Sequence, residues 1–150
     1  MNMTRMRVTL FMLVAAISLA AFGRTDETLQ QMIARADAAP PGDRPALYIH
    51  IAREQADAAD KAYQAGNSEA GNTALNDVVT YAGKATDSAT STGKRLKDTE
   101  IAVRKMAEKF HDVKHNLPFD DQAPVQEAID KLEKMRTEML SAMFGKKGNK

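Results

Sequence analysis

The chain has 150 residues, 21 Lys and Arg against 20 Asp and Glu, and no cysteine. So even a charge balance over about one domain's length argues against nucleic acid or an anionic membrane as the main partner, since both reward a strongly basic face. The absent thiols exclude disulfides, thiolate metal sites, covalent c-type haem attachment and a cysteine-acylated lipoprotein anchor.

Arg5 and Arg7 precede an uncharged, largely apolar run, Val8 to Phe22, which closes on the small-x-small string Ala21-Phe22-Gly23. That is the layout of a secretory signal peptide over residues 1–23, with cleavage expected between Ala20 and Arg24. The run is shorter than the ~20 residues that span a bilayer, which makes a retained anchor the second reading. The mature chain then works outside the cytoplasm, periplasmic or secreted. It carries 19 basic and 20 acidic residues, and no stable membrane insertion is expected of it.

Residues 24–144 are read as a single helical domain, rich in Ala, Glu, Lys, Gln and Met and without period-two alternation. The expected class is all-α. Thr25 is placed to cap a first short helix, with Asp26 and Glu27 in its first turn and Leu29, Met32, Ile33 and Ala36 as its stripe. Pro40-Pro41-Gly42 ends it. Asp43 caps the next helix, with Pro45 in its first turn and Tyr48, Ile51, Ala52, Gln55, Ala58, Ala59, Ala62 and Tyr63 on its apolar face. Gly66 suits a left-handed C-terminal position, and Asn67 or Ser68 can cap again at once, which implies an antiparallel hairpin.

Leu75, Val78, Ala82, Ala85, Ala89, Thr92, Leu96, Thr99, Val103, Met106, Phe110, Val113 and Leu117 then follow a 3-4 spacing without a slip. The spacing predicts one continuous helix of ~63 Å used as a seam. On this reading the architecture is an elongated antiparallel bundle: a short N-terminal helix plus two hairpins sharing the long central helix. Gly93 is then a poor helix former at an exposed site, and Gly93→Ala is expected to stabilise by up to ~1 kcal/mol. The alternative is an up-down four-helix bundle broken at Gly93. Leu117-Pro118-Phe119 stops the helix, and Asp120 or Asp121 caps a last one from about Pro124 to Phe144. Its apolar face is Val125, Ala128, Ile129, Leu132, Met135, Met139, Leu140 and Met143, with Glu127–Lys131 and Asp130–Lys134 paired on the other side. Residues 145–150, with Lys146, Lys147 and Lys150, are read as a flexible basic tail.

The stretch 46–85 resembles a tetratricopeptide-type helix pair in Ala62-Tyr63-x-x-Gly66 at its turn, then Glu69-Ala70 and Leu75. The likeness covers about a quarter of the chain and occurs once. Gly71 stands where the repeat prefers Ala, and no second copy follows at the ~34-residue period. It implies a helical hairpin and no solenoid.

Four constellations bear on chemistry. His111 and His115, with Asp112 between them, form His-Asp-x-x-His, one methylene short of the zinc-peptidase string. In the heptad frame both histidines face outward with no third protein ligand indicated, though Asp120 or Asp121 could fold back towards them. A solvated surface is therefore expected, and replacing both by Ala should shift stability by less than ~0.5 kcal/mol. Met135, Met139 and Met143 stack at i, i+4 and i+8, where core packing outweighs thioether binding of copper(I). Asp120-Asp121 is explained by capping, and His50 as a boundary residue. No phosphate loop, nucleophile elbow or Ser/His/Asp set is present in the sequence. No catalytic residue, cofactor site or metal site is expected, and no enzyme.

The expected role is macromolecular binding by an exported helical protein, as scaffold, adaptor or coiled-coil-type oligomer, with a protein partner or self-association. A holder of exported client proteins is the alternative, similar in gross character to the small helical periplasmic chaperones. Their Leu-Thr-x-x-Gln motif is absent, Glu27-Thr28-Leu29-Gln30-Gln31 being the nearest string. A metal-binding bundle ranks third.

Overall fold

The computed structural model describes residues 27–145. The leader-like segment 1–23, the Thr25 cap and the lysines of the tail lie outside them. Among the described residues are five α-helices and no strand: α1 (Leu29–Ala38), α2 (Arg44–Gln64), α3 (Ser68–Thr92), α4 (Leu96–His115) and α5 (Gln122–Phe144), with a single 3-10 turn at Phe119–Asp121 before the last. None of these helices is long and apolar enough to cross a membrane.

Helix α1 opens at Thr28, not Thr25, through a capping box. Glu27 thus precedes the first turn instead of lying in it, because the Thr28–Gln31 pair satisfies the helix end three residues later than expected. Thr28 Oγ1 accepts from the Gln31 N–H at 3.3 Å, and Gln31 Oε1 accepts from the Thr28 N–H at 2.9 Å. Before Pro40 the backbone of Ala39 turns extended, as the proline ring demands. Met32 and Ala36 are buried against the rest of the fold. Tyr48 donates to Asp37 at 2.6 Å, fastening α1 to α2, and burial followed by this hydrogen bond pushes the Tyr48 phenol up to about 12. Lys84 of α3 stands 5.4 Å from the ring centres of both Tyr48 and Tyr81, the two rings being stacked 6.3 Å apart.

The α2–α3 turn forms as the sequence predicts. Gly66 is left-handed at φ 74°, the Gly66 and Asn67 N–H groups donate back to Tyr63 O and Ala62 O, and Asn67 Oδ1 accepts from the Ala70 N–H at 3.1 Å. Carbonyls left over by α2 and amides left over by α3 are thus satisfied within three residues, which folds the two helices tightly on each other. Gly71 has a packing role in this hairpin. A Cβ built on it would stand 2.6 Å from Tyr63 Cε1, so the tyrosine ring occupies the space that alanine takes in the tetratricopeptide pattern.

The continuous central helix is overturned. Gly93 is left-handed at φ 68°, Arg95 is left-handed at φ 59°, and the chain reverses between Thr92 and Leu96. Helices of 25 and 20 residues, ~38 and ~30 Å long, replace the single rod. The seam residues stay inward or half-inward throughout. The phase survived because the three-residue turn leaves Leu96 four positions after Thr92, a spacing indistinguishable from one more helical turn. The alternative four-helix reading is the one the structure has. Since the Gly93 Cβ position is open to solvent, backbone conformation alone decides the effect of a substitution there. Gly93→Ala is therefore expected to destabilise by about 1 kcal/mol, measured by urea denaturation; a more stable variant would contradict the left-handed turn.

The helices alternate in direction and stack as two hairpins. Lys109 of α4 meets Asp57 and Asp60 of α2, Glu100 and Lys114 of α4 meet Arg136 and Gln126 of α5, and Ser68 at the start of α3 meets Asp121 just before α5. Those pairings place α2 parallel to α4 and α3 parallel to α5, with α2/α3 and α4/α5 antiparallel. The core is one cluster, with Phe110, Ile51, Ile129, Leu132 and Met139 among its largest fully buried side chains. Glu100 is buried with them, 2.9 Å from Arg136 Nε.

Three local expectations need correction. Ala56, not Ala58, lies in the core of α2, because α2 carries alanine on several faces and the small side chain marks none of them. Asp43 and Asp121 occupy cap positions without a side-chain capping bond; Asp121 accepts from Ser68 Oγ at 2.9 Å instead. Glu127 and Lys131 pair at 2.7 Å as expected, whereas Asp130 accepts from Gln126.

Candidate functional site

The α2–α3 turn and the α4–α5 connection meet at one end of the bundle. The connection is held tightly despite its exposure. Leu117 packs against the core, Gln122 Nε2 donates to Leu117 O at 2.9 Å, the Asp121 N–H donates to Pro118 O at 3.0 Å, and Ser68 ties Asp121 to α3. Between these anchors Phe119 is held out into solvent, 85% exposed. Among the described residues the other large exposed apolar side chain is Phe144, at the far end of α5. A phenyl ring in water with a fixed backbone beneath it is a preorganised apolar contact.

Beside this end a cleft of about 310 Å³ opens between α2 and α4, lined among others by Asp60, Tyr63, Lys109, Asp112, Asn116 and Leu117. Its charges are largely spoken for. Lys109 Nζ lies 2.6 Å from Asp57 Oδ1 and 3.4 Å from Asp60 Oδ2; burial pulls its ammonium pKa down, and these carboxylates raise it on balance. The Tyr63 phenol donates to Asn72 Oδ1 at 2.7 Å and is pushed up to about 12 by burial, with the Asp121 charge adding to the effect. It stays protonated at neutral pH, a hydrogen-bond donor and no base. In a second cleft between α2 and α3, burial alone raises the Asp77 carboxyl.

His111 and His115 are both exposed on the last turns of α4, as the heptad frame predicts, and line a small pocket of about 170 Å³ with Lys114 and Gln122. Among the described residues no group of three His, Cys, Asp or Glu side chains is arranged to hold a metal ion. Met139 is fully buried, and Met135 and Met143 pack partly buried against the core, so the methionine stripe serves packing. His50 is exposed rather than at a boundary. Asp120 is exposed and Asp121 serves as a tie to α3. Sequence reasoning took Leu117-Pro118-Phe119 only as a helix stop. The signal for more was an aromatic residue between a proline and two aspartates, a place with no helix face to bury it.

Comparison with known proteins gives no family-model match and no significant match among curated proteins or solved structures.

Proposed function

We propose that this protein is an exported binding module whose work is to hold a protein partner, with the end of the bundle around Phe119 as its contact surface. Phe119 carries the reading. It is a solvated aromatic side chain on a connection pinned at Leu117, Asp121 and Gln122. Aromatic anchors surrounded by polar groups are where interface energy concentrates, and a fixed anchor binds without an ordering cost. The neighbouring cleft supplies the polar rim through Asp112 and Asn116. Export is supported by the leader-like segment 1–23, and N-terminal sequencing of the mature protein tests it.

The scaffold or adaptor form of this role is favoured over the coiled-coil oligomer, because the seam that suggested a coiled coil is used inside the bundle. Client holding draws less support. Phe119 and Phe144 stand at opposite ends and form no continuous apolar surface among the described residues. A photo-crosslinking phenylalanine analogue placed at position 119 in producing cells is expected to give one discrete adduct. The same analogue at Glu108, exposed on α4, is expected to give none. Equal labelling at both positions, or none at 119, would remove Phe119 from the interface.

A further inference from the structure

We infer that His111, His115 and Gln122 form a binding site for a late first-row divalent cation such as zinc(II), on the outer face where α4 ends and α5 begins. Sequence spacing placed two imidazoles on one face and offered only Asp120 or Asp121 as a third ligand, and Asp121 is tied to Ser68 instead. The structure adds another. The two histidines are separated by one turn of α4, both are exposed, and they line a single pocket with the first residue of α5. One helical turn brings side-chain roots to about 5–6 Å, the span over which two imidazole nitrogens can converge on one ion. Imidazole is the ligand type that suits zinc, copper and nickel.

The candidate third donor lines the same pocket. Gln122 Nε2 is committed to Leu117 O at 2.9 Å, which leaves Oε1 as the atom of its carboxamide able to coordinate. Lys114 shares the pocket, and its ammonium donates to Gln126 Oε1 on α5 at 2.5 Å. Two imidazoles and an amide oxygen leave coordination positions for water, as an open zinc site does. The ion would join α4 to α5 across a connection otherwise held by hydrogen bonds. The site stands apart from the proposed role of Phe119 and does not depend on it.

The test is calorimetric titration of the tag-free mature protein, stripped of metal, with zinc chloride. One equivalent of zinc is expected to bind, and either His111→Ala or His115→Ala is expected to weaken binding by about tenfold or more. Both side chains are exposed, so the metal-free variants should melt with the wild type, which separates ligand loss from misfolding. Gln122→Ala removes the amide oxygen and is expected to weaken zinc binding by about tenfold, while its metal-free melting reports separately the loss of the bond to Leu117. Zinc binding that is unchanged in both histidine variants, or absent from the wild type, would overturn the site. Zinc binding that is unchanged in Gln122→Ala would overturn the third ligand.

Discussion

Phe110→Ala is expected to lower the unfolding free energy by about 3–5 kcal/mol, while Phe119→Ala, nine residues later, changes it by no more than about 0.5 kcal/mol. Phe110 is fully buried and is the largest side chain with no exposure in the fold. Its removal forfeits the transfer of a whole ring from water and leaves a cavity that α4's neighbours can only partly fill. A single domain has about 5–15 kcal/mol in total, so this one change brings the protein close to unfolding. If Phe110→Ala is too unstable to purify, Phe110→Leu supplies a graded version of the same test. Urea denaturation with a far-ultraviolet dichroism readout measures all three. A Phe119→Ala loss comparable to that of Phe110→Ala would mean that Phe119 is packed, and would undo its assignment as an external contact.

Gly71→Ala is expected to destabilise by roughly 1–2 kcal/mol, the opposite of what helix propensity predicts. Alanine inside a helix is worth up to about 1 kcal/mol over glycine. Against that stands the ring of Tyr63, whose Cε1, Cδ1 and Cζ atoms would lie 2.6–2.8 Å from the new Cβ. That ring is buried and its hydroxyl is tied to Asn72 at 2.7 Å, so yielding towards the cleft would strain or break that hydrogen bond. Overpacking of this kind costs about 1–3 kcal/mol. The cause is isolated by a double-mutant cycle: in a Tyr63→Leu background the penalty for Gly71→Ala should shrink or reverse. Equal penalties in both backgrounds would place the strain elsewhere.

Gly71 also illustrates where sequence reading stops. The departure from alanine was visible as a departure, and its reason was not, because the partner ring sits eight residues away on another helix. Tyr63 was read as an apolar-face residue and Gly71 as a mismatch. Only the hairpin geometry joins them. The candidate sites divide the same way. The outward position of His111 and His115 followed from the frame set by Phe110 and Val113. Gln122 came to line the histidine pocket only when the chain turned at Pro118, and Phe119 became exposed only when the 3-10 turn left it outside both α4 and α5.

What the amino-acid order determined by itself is the helical class, the buried set along the seam and the turn at Gly66. Each rests on local causes: helix-forming side chains, an apolar residue every three or four positions, and a glycine followed by a capping asparagine. The tertiary structure alone decided whether the seam is one helix or two. Periodicity counts residues and carries no record of chain direction, so the turn through Gly93 and Arg95 is invisible to it. Local energies did not decide it either, since a left-handed arginine costs about 1–2 kcal/mol and a glycine in a helix about 1 kcal/mol. Folding the seam back brings Leu75 to Ala85 and Ala102 to Val113 into one shared core with Val125 to Met139, and each fully buried aliphatic side chain contributes about 1.5–3 kcal/mol. Burial summed over the whole seam outweighs the strain of a single turn.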